Sequence, residues 1–207
     1  MSAAEMTERS ADVSPRLKAR IAGLLYLLIF AAAPSGAATA TPAKMIITLA
    51  CDIGVALILF QLLKPVSRTL SLLAALFRLI FVAVMAVNSL SYFGTVVLFQ
   101  NAHSSAAFDT GYGIAMVPFG LHCLLIGYLI FKSIFLPRIL GVLMALAGLG
   151  YLTFLWPGLG SHLFFPYILI PGIVGEGSLM LWLLVMGVNV QQWREQANTA
   201  RAGGAGS

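Results

Sequence analysis

Charge is what this chain has least of. Asp, Glu, Lys and Arg make up 9% of its 207 residues, where a soluble globular domain carries about a quarter. With 60% of the residues hydrophobic, that scarcity excludes a soluble domain, and a disordered chain as well, because disorder needs low hydrophobicity. The 12 Lys and Arg against 7 Asp and Glu are too sparse for a basic patch, so no nucleic-acid partner is expected. Cysteine occurs twice, at Cys51 and Cys123, each inside an apolar run; a secreted disulfide framework is excluded. The apolar runs do not alternate with polar residues and are about twice the length of a barrel strand, which excludes a transmembrane β-barrel. What remains is a helical protein that crosses a membrane several times.

Crossing a hydrocarbon layer of about 30 Å takes about 20 apolar residues in a helix. Runs of that kind lie at 17–37, 45–63, 70–99, 111–131, 138–156 and 164–190. The expected fold is therefore an all-α integral membrane protein, a six-transmembrane-helix bundle forming one domain over 17–190. A polar mobile tail over 1–16 precedes it, and a cytoplasmic C-terminal tail over 191–207 follows. The third run is too long to stand upright and should tilt or extend past the interface. Lys and Arg resist translocation. Arg9, Arg16, Lys18, Arg20, Lys64, Arg68, Lys132, Arg138, Arg194 and Arg201 all fall on one side of such a bundle, and Lys44 alone on the other. Both termini are accordingly placed in the cytoplasm. A competing reading takes Ile21 to Ala33 as a signal-peptide core with Ala38-Thr39-Ala40 as its cleavage site, which would leave five spans.

An ionisable side chain at the bilayer centre costs ~2.5–3.5 kcal/mol on insertion scales, so such residues are candidates for function. Asp52, Arg78, His122 and Glu176 qualify. Counted from the helix ends, Arg78 lies ~14 Å deep, His122 and Glu176 ~17 Å, and Asp52 ~10 Å, which suggests a single midplane cluster. Arg keeps its proton and its planar fork suits a carboxylate, so Asp52 or Glu176 is the expected partner of Arg78. On the third run Ser71, Arg78, Met85, Ser89 and Tyr92 share a stripe with Asn88 beside it; Asn88, Ser89 and Tyr92 read as polar support. Gly113, Gly120 and Gly127 form a small-residue seam on the fourth run, with His122 pointing away from it. Around Glu176, Pro166, Pro171, Gly172, Gly175 and Gly177 suggest a helix kinked or opened one turn above the carboxylate. Each of these features also has a structural reading, as a register-fixing ion pair, a hydrogen-bonded histidine or a packing device. Lys64, Arg68, Lys132 and Arg138 serve topology or hold anionic headgroups.

No metal helix, nucleophile elbow or phosphate loop is present, so no cofactor, no metal and no catalytic residue is assigned. Ser161-His162 lacks the geometry of a nucleophile and base, and nothing in the spacing of His103, Asp109 and His162 fixes a shared metal.

Several stretches resemble one bacterial family of multi-pass membrane proteins, domain-of-unknown-function family 4386. They are the run from Arg20 to Leu28, Leu62-Leu-Lys-Pro-Val, Phe77-Arg78-Leu79, and above all Phe119 to Lys132 with its sequel Leu136-Pro-Arg138-Ile-Leu-Gly141. The likeness covers roughly Lys18 to Asn189. It implies a bacterial cytoplasmic (inner) membrane location and no established activity, and the first helix resembles part of the family's body. Asp52, Arg78, His122 and Glu176 match polar positions of the family pattern. Pro34 to Lys44 is shorter than the family's usual segment there.

Three functions are compatible with these residues. The first is a small-solute, ion or proton pathway, in which Glu176 and Asp52 bind the cation or proton, Arg78 sets their charge and His122 titrates. The second is a membrane-embedded enzyme acting on a lipid, with His122 and Glu176 as acid and base. The third is a non-catalytic structural or accessory protein. Membrane lipids and a homo-oligomer are the expected partners; the ligand is left open.

Overall fold

The structure, a computed structural model, describes residues 14–32, 41–99 and 105–204. The Ala38-Thr39-Ala40 site, His103 and all but the end of the N-terminal tail lie outside them. The described helices are α1 (Pro15–Ala32), α2 (Pro42–Leu63), α3 (Arg68–Phe99), α4 (Ser105–Lys132), α5 (Arg138–Leu152), the short α6 (Pro157–Leu163), α7 (Leu169–Val185) and α8 (Val190–Gly204). No strand occurs among the described residues.

Local chemistry sets the boundaries. Thr41 caps α2, its side chain accepting from Lys44 N at 3.3 Å, with Pro42 in the first turn where no N–H is missed. Ser67 caps α3 in the same way, accepting from Leu70 N at 3.4 Å. At ~1.5 Å per residue the 32 residues of α3 span ~48 Å, more than the hydrocarbon thickness.

Five segments among the described residues are long and apolar enough to cross a membrane: Pro42–Leu63, Arg68–Gly94, Ala107–Lys132, Arg138–Leu155 and Gly158–Val185. α1 has 18 residues and carries Arg16, Lys18 and Arg20 near its start, which sets it apart from the five by composition. Its outward face is nonetheless apolar, with Leu24, Leu27 and Leu28 exposed like Leu57, Leu76, Leu90 and Leu146 on the other helices.

The helices pack in a closed ring. α1 lies on α2, α2 on α3, α3 on α4, α4 on α5, α5 on α7, and α7 returns to α1. Three backbone contacts between ring helices are close enough to require glycine, one of them at Gly175 of α7, where a Cβ would stand 2.7 Å from Leu143 O of α5. At Gly23 of α1 a Cβ would stand 2.5 Å from Leu184 N of α7, so the ring closes backbone against side-chain-free backbone. Between α4 and α5, Gly120 faces Gly148 and Gly127 faces Gly141, each Cβ position within 2.9 Å of the opposite carbonyl oxygen. The seam expected on the fourth run is thus matched by a second one on α5, and His122 faces α3 instead.

The sixth run differs from its expected form. Only Leu169–Val185 is one straight helix; residues 157–163 form α6, and the break falls at Phe165 (φ −115, ψ 128). Pro171 sits in the first turn of α7, where the missing N–H costs nothing, and α7 runs unbroken past Gly172, Gly175 and Gly177. No opening lies one turn above Glu176; Gly172 and Gly175 accommodate neighbours, and Gly177 faces open space. Beyond Gly187 (φ 70) the polar stretch is helical through Gly204, because Val190, Trp193 and Gln196 recur on one face that packs on the bundle.

Candidate functional site

Each of the six ring helices contributes a polar side chain to one buried layer: Tyr26 from α1, Asp52 from α2, Arg78 from α3, His122 from α4, Tyr151 from α5 and Glu176 from α7. None is more than 9% exposed.

Arg78 is the hub. Its Nε and Nη2 donate to Asp52 Oδ1 at 2.9 and 2.5 Å, and its Nη1 donates to Tyr26 Oη at 2.7 Å and bonds His122 Nε2 at 3.1 Å. An arginine only donates, so Nε2 of His122 is the acceptor. The proton of that ring therefore sits on Nδ1, which donates to Ala74 O at 2.8 Å. Both ring nitrogens are engaged, and the bonding pattern assigns the tautomer. Four of the five N–H groups of Arg78 are accounted for. Its guanidinium also stacks 4.8 Å from the Tyr26 ring centroid and 5.3 Å from that of Phe119, contacts suited to its planar, weakly hydrated cation.

Of the two carboxylates expected to compete for Arg78, Asp52 makes the ion pair. Glu176 lies within electrostatic reach of Arg78 and Asp52 but is held by Tyr151, whose hydroxyl donates to Oε1 at 2.8 Å. Gly172, one turn before Glu176, makes room: a Cβ there would collide with the Tyr151 hydroxyl. Phe119 joins the two groups, stacking on His122 at 5.8 Å and touching Tyr151 at 5.4 Å. Asp52, Arg78 and His122 are therefore in direct contact, and Glu176 forms a second pair beside them.

The expected supporting residues are not in this layer. Asn88 donates to Phe108 O at 3.0 Å, Ser89 to Met85 O at 2.6 Å, and Tyr92 packs 5.0 Å from Phe108. At 10 to 14 positions beyond Arg78 they lie ~15–21 Å away along α3, where Asn88 and Tyr92 join α3 to the start of α4 through Phe108 and Ser89 bonds back within α3. The stripe itself faces protein, since Ser71, Arg78, Met85 and Ser89 are all buried. Tyr26 and Tyr151 were not legible as site residues from charge; their signal is a hydroxyl at midplane depth, and a tyrosine is cheap to place in an apolar run. Cys51 and Cys123 are buried free thiols. Ser161 and His162 lie exposed on α6, and Asp109 exposed on α4.

Tyr151→Phe removes the donor to Glu176 and leaves a buried carboxyl oxygen short of a partner. A loss of about 1–3 kcal/mol is expected, read as lower resistance to denaturant in detergent. Gly172→Ala should act in the same direction, because it displaces the hydroxyl without deleting it.

Residues 40–187 match a family model described as "Domain of unknown function (DUF4386)". The matched stretch contains α2 to α7 and therefore Asp52, Arg78, His122, Tyr151 and Glu176, but not Tyr26. An uncharacterized protein of the archaeon Archaeoglobus fulgidus is 31% identical over 143 residues, covering 66% of this chain and 76% of its own. No solved structure matches.

Proposed function

The chain belongs to the DUF4386 family, and from that premise we propose that it is a six-span protein of the bacterial cytoplasmic membrane with an exchangeable carboxyl, Glu176, in a proton or small-cation pathway. α1 is the first span, residues 17–190 form one domain, and the excess of Lys and Arg at one end puts both termini in the cytoplasm.

One observation carries the reading: the buried layer holds one cation and two carboxyls. Arg78 and Asp52 cancel within a direct ion pair, which leaves Glu176 as the surplus acid. A lone carboxylate in a low-dielectric interior is costly, so Glu176 is neutralised by a proton or a small cation. Exchange of that partner is the step on which a pathway is built. Arg78, Asp52, Tyr26 and His122 form the fixed part, and Tyr151 orients the carboxyl. His122 is ill suited to acid–base catalysis on a lipid, because both of its ring nitrogens are already bonded. A single ring of six helices has no second half to move against, so a carrier mechanism calls for a homo-oligomer.

The test is carbodiimide, which modifies protonated carboxyls in apolar surroundings. Labelling is expected at Glu176 and not at Asp52, to weaken in the presence of a bound cation, and to vanish in Glu176→Gln. Equal labelling of both acids, or of neither, contradicts the assignment.

A further inference from the structure

A second site lies at the other end of the molecule from α6. An open cavity of about 750 Å³ is bounded by the start of α1, the α4–α5 loop, the end of α7 and the start of α8. Arg16 and Arg194 line it from two different elements, and Trp182, Met186, Phe135 and Leu136 give it apolar walls. Among the described residues no carboxylate lines it, and neither arginine has an ion pair.

The cavity is built. Asn189 caps α8, its Oδ1 accepting from Gln191 N at 3.1 Å and Gln192 N at 3.2 Å. α8 is then fastened beneath the bundle: Trp193 Nε1 donates to Leu62 O at 2.8 Å, and Ile134 N donates to Gln196 Oε1 at 3.2 Å. Gly187, at φ 70, turns the chain between α7 and α8, and the stem of Arg16 lies against it, with Cγ 3.1 Å from where a Cβ would be. Arg16 is thereby held over the turn.

We infer that this cavity binds an anionic phospholipid, its phosphate between Arg16 and Arg194 and the upper part of its acyl chains along Trp182, Met186 and Phe135. The volume falls in the range of ligand pockets. Two guanidiniums with no carboxylate beside them among the described residues match a phosphate. Basic pockets among helices on the cytoplasmic side are where anionic headgroups bind, and a tryptophan suits the depth of the interface. A soluble phosphate compound would use the same arginines but would gain nothing from the apolar wall. This inference does not depend on the role of Glu176.

The experiment is native mass spectrometry of the full chain in detergent, with phosphatidylglycerol and phosphatidylcholine in competition. Wild type should retain phosphatidylglycerol about tenfold or more over phosphatidylcholine, the order expected of two arginines near a headgroup. Arg16→Gln with Arg194→Gln should abolish the preference, and Arg194→Gln alone, on exposed α8, should reduce it about threefold. Arg20→Gln with Arg201→Gln, which removes two positive charges that do not line the cavity, should leave it intact. The inference is overturned if wild type shows no preference, if both double variants lose it equally, or if inorganic phosphate displaces the lipid.

Discussion

Arg78→Met is expected to cost about 3–5 kcal/mol of stability, the largest loss of any single substitution in this chain. The reason is what the arginine leaves behind. Asp52, 2% exposed, would keep its carboxylate in the interior without the two N–H groups that hold Oδ1, and His122 Nε2 and Tyr26 Oη would each lose a donor. Arg78→Met with Asp52→Leu removes both charges together and should recover much of the loss, because an apolar pair of similar volume often replaces a buried ion pair at little cost. Denaturation in mixed micelles across the four proteins of this cycle gives the coupling. A coupling near zero would mean that the pair does not hold the ring together.

Gly141→Leu should be the next most damaging substitution, by about 1–3 kcal/mol or more. Its Cβ would stand 2.5 Å from Gly127 O and 2.8 Å from Phe131 N, and both are backbone atoms of α4 that no rotamer change can move aside. α4 and α5 must separate, and with α4 goes the position of His122. Gly177→Ala is the internal control. It lies beside Glu176 in α7, yet a Cβ there meets nothing within 4 Å, so it should be neutral or stabilise by about 0.5–1 kcal/mol through the higher helix propensity of alanine. In the same melting assay Gly141→Leu is thus expected to destabilise and Gly177→Ala not to.

Much of this layer was legible in the sequence because a charge in an apolar run is expensive. Asp52, Arg78, His122 and Glu176 stand out for that reason, and helix rise puts them at similar depth. Periodicity showed which face of α3 is buried and that α4 has a glycine seam. Three things could not be read. Tyr26 and Tyr151 carry their polarity on one hydroxyl, which apolar runs tolerate. The choice of Asp52 over Glu176 as the partner of Arg78 depends on the ring order, in which α2 adjoins α3 and α7 does not. The glycines around Glu176 look alike in sequence whether they open a helix or admit a neighbour; Gly172 under the Tyr151 hydroxyl and Gly175 against Leu143 O decide for the neighbour. Asn88, Ser89 and Tyr92 share the buried stripe with Arg78 but belong to its far end, which periodicity alone does not distinguish.

The measurement that bears most directly on Glu176 as the exchangeable group is proton flux in proteoliposomes under an imposed pH gradient, comparing wild type with Glu176→Gln and Tyr151→Phe, each checked for folding by helical content. Wild type should dissipate the gradient faster than empty vesicles, Glu176→Gln should not, and Tyr151→Phe should lie between them. A folded Glu176→Gln protein that conducts like wild type, or a wild type that conducts no better than lipid alone, would contradict the account and leave the six-residue layer as a lock between helices.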